Sequence, residues 1–307
     1  MRHRRAFLSF PQEHGSNADL LDYQKVLAGL NIAFKVDITS QEGFGGTAAI
    51  DIYNLNRDDM SFLATTSAQW VKQQALVQLY VGYDDDVKMV FGGIINEATP
   101  EGYPDLVLHI RAQSGPSWTT KAVNVDKMNL KVMDLIDYAS TVTGYPVNIP
   151  VELRNGNEML NTRLDRFSYT GSTWGLLDKI QDLMGGFNIS ENNVFLSTYN
   201  DQINVWSPAG NTQPGGKLLI SKETGLIGVP HIVNSGVVVK TLLNNSVKVG
   251  DTIHLESERA KIATGDYFVK EICHEGELRG NNWYTTLKCS FTVAKTKGNT
   301  DAEPREL

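Results

Sequence analysis

Ten residues near the start of the chain, Leu30 to Thr39, read LNIAFKVDIT, with Ile32, Phe34, Val36 and Ile38 alternating against polar or small neighbours. A period of two gives a strand one apolar face and so demands a sheet with a covered side. The same texture returns in TAAIDIYNL (Thr47 to Leu55), ALVQLYVGY, VKMVFGGII and PDLVLHIRAQ. Far downstream it returns again in SGVVVKTL, DTIHLES, DYFVKEICH and WYTTLKCSF. Short strands with brief polar or Gly-bearing breaks predict small antiparallel barrels or sandwiches at both ends of the chain.

Helices are confined to the middle. MNLKVMDLIDYASTVTG sets Leu130, Met133, Ile136 and Ala139 or Ser140 on one face, with Gly144 as a stop and Pro146 just beyond. GSTWGLLDKIQDLMGG has Ser172 or Thr173 as N-cap, and Leu176, Leu177, Ile180, Leu183 and Met184 as its apolar stripe. FNIS and VFLSTY around Glu191-Asn192-Asn193 read as a hairpin. The fold class expected is mainly β with α+β: two similar antiparallel β-barrel modules separated by an α+β module. The boundaries read as an N-terminal extension at 1–29, a first barrel at 30–114, a middle module at 115–216, a second barrel at 217–293 and a polar tail at 294–307. SPAGNTQPGG (Ser207 to Gly216) is the linker candidate. FGGIINEATPEGYPDLVLHIR and YFVKEICHEGELRGNNWYTTLKC share a strand ending in Glu, a Gly-bearing turn and a second strand, which suggests an internal repeat.

Among 307 residues, 41% are hydrophobic and 21% charged, an ordinary globular balance. The net charge of −7 argues against broad affinity for nucleic acid or anionic membranes. MRHRR at the start reads as a solvated tail. No apolar run reaches the length of a membrane span and no secretory h-region is visible. Two cysteines make no disulfide framework.

Cys273, His274 and Cys289 could be metal ligands, a redox pair or a catalytic dyad. Pairing the two strands by their apolar sets puts Cys273 opposite Thr285 and Cys289 opposite Val269. The thiols then lie roughly 13 Å apart at about 3.4 Å per residue, beyond disulfide reach. His274 faces away from Cys273, so core cysteines are the expectation. Asp84-Asp85-Asp86 offers hard oxygens, yet the later Gly and Glu of a calcium loop are missing and a solvated turn is expected. Asp58-Asp59, Glu256 and Glu258 read as surface charges. The six histidines are scattered, and no nucleophile elbow, zinc-protease, phosphate-loop or dinucleotide motif occurs. Trp118, Trp174 and Trp206 could stack on sugars or bases, although packing is the expected use. A hydrolase is disfavoured because no paired carboxylates are visible. No catalytic residue, metal or cofactor is expected.

AAIDIYNLNRDD, then VGYDDD, then VFGGII carry Tyr53, Asn54, Leu55, Gly82, Tyr83, Phe91, Gly93 and Ile94. These resemble the N-terminal domain of phage tail baseplate hub proteins, the late control protein D-like hubs of contractile-type tails. TGLIGVPHIVNSGVVVKTLLNNSVKVGDTIHLES (Thr224 to Ser257) is similar to the stretch by which such hubs enter their last barrel. HEGELRGNNWYTTLKC is similar to their closing hairpin, and GSTWGLLDKIQDLMGGFNIS to a recurrent middle element. The likeness runs from about Asn31 to Phe291, and the first thirty residues match nothing in it.

The resemblance implies a homotrimer in which each subunit supplies two similar barrels, a pseudo-sixfold ring joining a sixfold tail tube to a threefold central spike. Tail tube, spike, baseplate wedge and tape-measure proteins would be its partners. DNA would pass through the lumen without specific binding, and no membrane would be involved. The site would be the virion tail, after assembly in the host cytoplasm. No peptidase or lysozyme module is matched, so no lytic activity is expected. A carbohydrate- or receptor-binding tail-tip module is the alternative. Ring contacts are expected at barrel edges and hairpins, near Tyr83, Asp84, Asp85, Asp86 and Val87, and near Glu277, Leu278, Arg279 and Trp283.

Overall fold

The computed structural model describes residues 3–10, 25–39, 45–63, 76–102, 105–114, 122–185, 194–199, 202–207 and 217–291. The first stretch supplies β1 (Arg4–Phe10), β2 (Lys25–Ala28), β3 (Asn31–Thr39), β4 (Gly46–Tyr53), a short helix α1 (Arg57–Leu63), β5 (Leu76–Tyr83), β6 (Asp86–Glu101) and β7 (Val107–Gln113). In β3 the alternation works as read: Ile32, Phe34, Val36 and Ile38 are all buried. At about 1.5–3 kcal/mol per fully buried aliphatic or aromatic side chain, such faces supply the driving force.

The middle holds β8 (Ala122–Lys131), α2 (Val132–Thr143), β9 (Val147–Asn148), α3 (Val151–Gly156), α4 (Glu158–Asn161), β10 (Arg163–Ser172), α5 (Thr173–Leu183), β11 (Phe195–Tyr199) and β12 (Gln202–Trp206). Helix α2 begins later than its pattern suggested. Met128 to Lys131 finish the long strand β8, which pairs with β10, and Leu130 is buried from that strand. Gly144 ends α2 in the left-handed region at φ 77°. Ser172 caps α5, its hydroxyl accepting from the Gly175 N–H at 3.1 Å. VFLSTY pairs with β12; FNIS lies outside the described residues, as does Trp118.

The last stretch contributes β13 (Leu218–Ile220), β14 (Leu226–Val233), β15 (Gly236–Leu242), β16 (Thr252–Leu255), β17 (Gly265–Glu277) and β18 (Trp283–Phe291). Strands from the two ends of the chain share one sheet, in the order β14-β15-β18-β17-β3-β4-β7-β6-β5-β1-β2, with β16 on β17 and β13 on β16. Two separate closed barrels are therefore not what the described residues form. The C-terminal half of β17 hydrogen-bonds to β3, from Glu271 opposite Thr39 to Glu277 opposite Ala33. That seam fuses the two strand sets, while β14 and β2 are the ends of the sheet among the described residues. The basic start is no free tail either, since β1 pairs with β5 from Arg4 opposite Tyr83 onward.

Two strand sets follow one plan. β3-β4-β7-β6-β5 and β14-β15-β18-β17-β16 run in the same order, each neighbouring pair antiparallel. Both long strands carry a bulge at the same place: β6 slips between Ile95 and Glu97, β17 between Val269 and Glu271. Buried residues then correspond across the sets: Ile95 with Val269, Ala98 with Ile272, Ile110 with Leu287, and Val77 with Ile253.

The bulge at Lys270 also revises the cysteine geometry. Cys289 does face Val269, but the extra residue puts Cys273 opposite Thr286 and His274 opposite Thr285. Face parity flips after a bulge. Cys289 and His274 therefore both lie in the core, while Cys273 turns to the half-exposed side. Cys289 is the counterpart of Ala112, a small residue in a tight strand layer.

The main core runs along this sheet, and a second core gathers α2, α5 and the strands of the middle stretch. Phe195 and Trp206 join the main core from the middle stretch. Their rings stack at 4.7 Å, and Trp206 reaches Phe268 at 6.2 Å.

Candidate assembly interface

The two hairpins singled out in the sequence lie almost two hundred residues apart, yet the fold brings them together. The β5–β6 turn is Asp84-Asp85, with Asp84 at φ 49°. The β17–β18 turn runs from Leu278 to Asn282, and the Leu278 N–H donates to the Ile32 carbonyl at 3.0 Å. Tyr83 meets Trp283 edge-on with centroids 6.4 Å apart, and Phe34 meets the same indole at 5.4 Å.

His3 and the first two residues of β1 hold the turns. The Arg4 guanidinium lies 5.6 Å from the Trp283 ring centroid and donates to the carbonyls of Gly280 at 2.7 Å and Glu277 at 3.4 Å. The His3 N–H donates to Asp84 Oδ1 at 2.9 Å, and the Asp84 N–H returns a bond to the His3 carbonyl at 2.8 Å. Arg5 faces Asp85 at 3.7 Å, an exposed pair worth little. Planar donors over an aromatic face, each aimed at a carbonyl, suit arginine and no other side chain.

Glycines permit the close approach. A Cβ on Gly276 would sit 2.5 Å from Phe34 and 2.7 Å from Trp283, and one on Gly82 would meet the Asp86 carbonyl at 1.9 Å. The segment after β15 completes the surface. Asn245 Nδ2 donates to the carbonyls of Val81 at 3.0 Å and Asp86 at 2.9 Å, and Lys88 Nζ donates to Ser246 Oγ at 2.7 Å. Together these residues border an open cleft of about 780 Å³, lined by His3, Arg4, Tyr83, Asp86, Asn245 and Arg279 among others.

The predicted residues occupy different depths there. Asp85, Asp86 and Arg279 are exposed; Tyr83, Val87, Glu277 and Leu278 are half-buried. Trp283, at 1% exposure, lies underneath as support and offers no surface for a partner. Sequence reading missed Arg4, Asn245 and Ser246. Their signals were present in MRHRR and TLLNNS, but nothing local says which distant carbonyls they reach.

Other candidate groups are chemically quiet. Burial, with the Asp37 carboxylate alongside, pushes the Cys273 thiol up to about 12, and burial pushes Cys289 up as well. Neither supplies a thiolate at neutral pH. Burial pushes His274 down to about 4, and its Nδ1 pairs with Thr285 Oγ1 at 2.9 Å. Among the described residues, no three His, Cys, Asp or Glu side chains cluster to hold a metal ion. Trp174 is half-buried against the second core and Trp206 is buried in the main one. No described helix is long and apolar enough to cross a membrane.

A sheet joining strand sets from both chain ends, with a helical insert between them, is shared with solved tail proteins. A tail protein from Neisseria meningitidis MC58 aligns at TM-score 0.59 and 10% identity, covering 94% of this chain and 97% of that one. The 43 kDa tail protein of prophage MuSo2 from Shewanella oneidensis aligns at 0.59 and 10% identity, with coverages of 93% and 98%. An E. coli type VI secretion system component, described as structurally similar to the T4 phage tail proteins gp27 and gp5, aligns at 0.53 and 9% identity, with coverages of 86% and 74%. Among curated proteins nothing matches. The fold is thus that of phage tail and type VI secretion components. The sequence profile of the family described as baseplate hub gp41 matches residues 15–289, and the chain belongs to that family.

Proposed function

We propose that the chain is the trimeric hub of a phage baseplate, an adaptor between the sixfold tail tube and the threefold central spike. One observation carries this reading: a single chain holds two strand sets of the same order, so three chains offer six like elements to a tube and three to a spike. Such a mismatch adaptor needs no catalysis, cofactor or metal, and the stretches 30–114 and 217–293 act as its two tube-like modules around the 115–216 insert. The surface at Tyr83–Val87 and Glu277–Arg279, held by Arg4, serves as a contact for neighbouring tail proteins: tube, spike, wedge or tape measure. A net charge of −7 suits the wall of a conduit through which DNA moves without being held. The chain would assemble in the host cytoplasm and end in the virion. Trp206 and Trp283 are buried, which removes two aromatic platforms from a glycan-binding reading.

Light scattering of the purified chain, with quantitative mass spectrometry of intact tails, tests the proposal. A trimer and three copies per tail are expected; a monomer that binds glycans overturns it.

A further inference from the structure

The two strand sets differ in one respect that their common plan makes informative. In the C-terminal set, the half of β17 beyond its bulge is covered by β3, and Ile272 and His274 are each 2% exposed. In the N-terminal set, the corresponding stretch of β6, from Glu97 to Glu101, pairs only with β7; its other edge has no strand among the described residues. Thr99, Pro100 and Glu101 are exposed there. The strand corresponding to β3 is β14, which pairs only with β15. Val36 of β3 is fully buried, whereas its counterpart Ile232 is 50% exposed, as are Val229 at 50% and Val233 at 40%.

Among the described residues, each half of the internal seam therefore recurs elsewhere in the chain without its mate. We propose that copies of this chain join head to tail, with β14 of one copy pairing antiparallel to the free edge of β6 in the next, repeating the β3–β17 seam. The partner is a second copy because this chain already contains both halves of the joint and shows how they fit. The proposal rests on the trimeric-ring reading and names the surface that builds the ring. One copy presents β14 and a different edge receives it, so the contact is heterologous and can close into a ring that covers both of these edges.

The register follows from the internal seam. Lys35 opposes Glu275, Val36 opposes His274 and Asp37 opposes Cys273. Translated through the paired strands, His231 falls opposite Glu101 of the next copy, Ile232 opposite Pro100, and Val233 opposite Thr99. His231 takes the place of Lys35 against a glutamate, and Pro100 gives Ile232 an apolar neighbour but no N–H, so this joint has fewer ladder hydrogen bonds than the internal seam. Pro230 lies in the irregular part of β14, between Ile227 and His231, so the pairing is confined to His231–Val233. An edge strand with no Asp, Glu, Lys or Arg and with three exposed aliphatics is otherwise a hazard that proteins avoid.

Oxidative cross-linking of the full-length double variant Val233→Cys/Thr99→Cys tests the joint. Directly opposed antiparallel residues bring Cα atoms within disulfide range, at about 4.5–5.5 Å. Most of the chain is expected in covalent dimer and trimer bands on a non-reducing denaturing gel, with neither single variant producing them. A chain that light scattering shows to be trimeric, but whose double variant stays uncross-linked, overturns the β14–β6 pairing and leaves the ring standing. A wild-type chain that stays monomeric at all concentrations overturns the ring, and this joint with it.

Discussion

His274 is a buried imidazole whose neutrality is part of the fold. Burial lowers its pKa to about 4, against about 6.5 in an unfolded chain. Between those values the unfolded chain binds a proton that the folded chain does not, so stability is lost as pH falls from 6.5 towards 4. At about 1.4 kcal/mol per pH unit the loss reaches about 3 kcal/mol at pH 4. Urea midpoints of wild type and His274→Asn at pH 7, 5.5 and 4.5 check this: the variant should lose distinctly less across the series, and parallel slopes would refute the assignment. Arg4 is the second residue whose role lies in long-range contacts. Arg4→Ala should cost about 1–2 kcal/mol and speed hydrogen exchange at the Leu278–Asn282 turn; Arg4→Lys should recover less than half, lacking the planar fork. Neither role can be read from neighbouring residues. His274 sits in the core only because a bulge precedes it, and Arg4 serves carbonyls more than 270 positions away.

At the scale of elements, alternation was a good guide where one face is buried and a poor one elsewhere. β3 to β7 and β15 to β18 stand where their patterns predict, within a few residues at their ends. β8 and β10 are faint in the sequence because their apolar periods are short: Val123 and Val125 alternate and are buried, but Asp126 to Asn129 are all exposed, and in β10 only Phe167 is buried. β14 was hidden by Gly228 and Pro230 inside an irregular edge. The bulges did leave a trace: Asn96-Glu97 and Lys270-Glu271 place two polar residues together where alternation asks for one. The extra residue, and not its chemistry, is what matters there. Lys270→Ala should change stability by less than about 0.5 kcal/mol, whereas deleting Lys270 forces Ile272 and His274 off the core face and should abolish soluble expression. Val269→Asp, a buried charge without a partner, should likewise prevent folding. Circular dichroism and soluble yield distinguish the cases, and a folded deletion variant would show that the bulge is dispensable.

At the scale of the molecule, the order of β-rich, helical and β-rich stretches was legible, but their joining was not. Period and composition say which residues want a covered face; they do not say that β17 will find β3 across more than two hundred residues of chain. The insert is tied in by a similar long-range device, the stacked Phe195 and Trp206 against Phe268. Among the described residues the sheet ends in two strands without a second partner, β14 with exposed aliphatics and β2 with Val26 at 51%. If assembly covers β14, part of the stability belongs to the oligomer and follows mass action. The apparent melting temperature should then rise steadily with protein concentration. Ile232→Lys places a charge on the free edge without touching the monomer core, so it should keep the low-concentration melting temperature while losing most of the concentration dependence. Differential scanning calorimetry over a hundredfold range of concentration measures both quantities. A variant as concentration-dependent as wild type would place the stabilising contact elsewhere on the surface, and a wild type with no dependence would mean that the monomer carries all of its own stability.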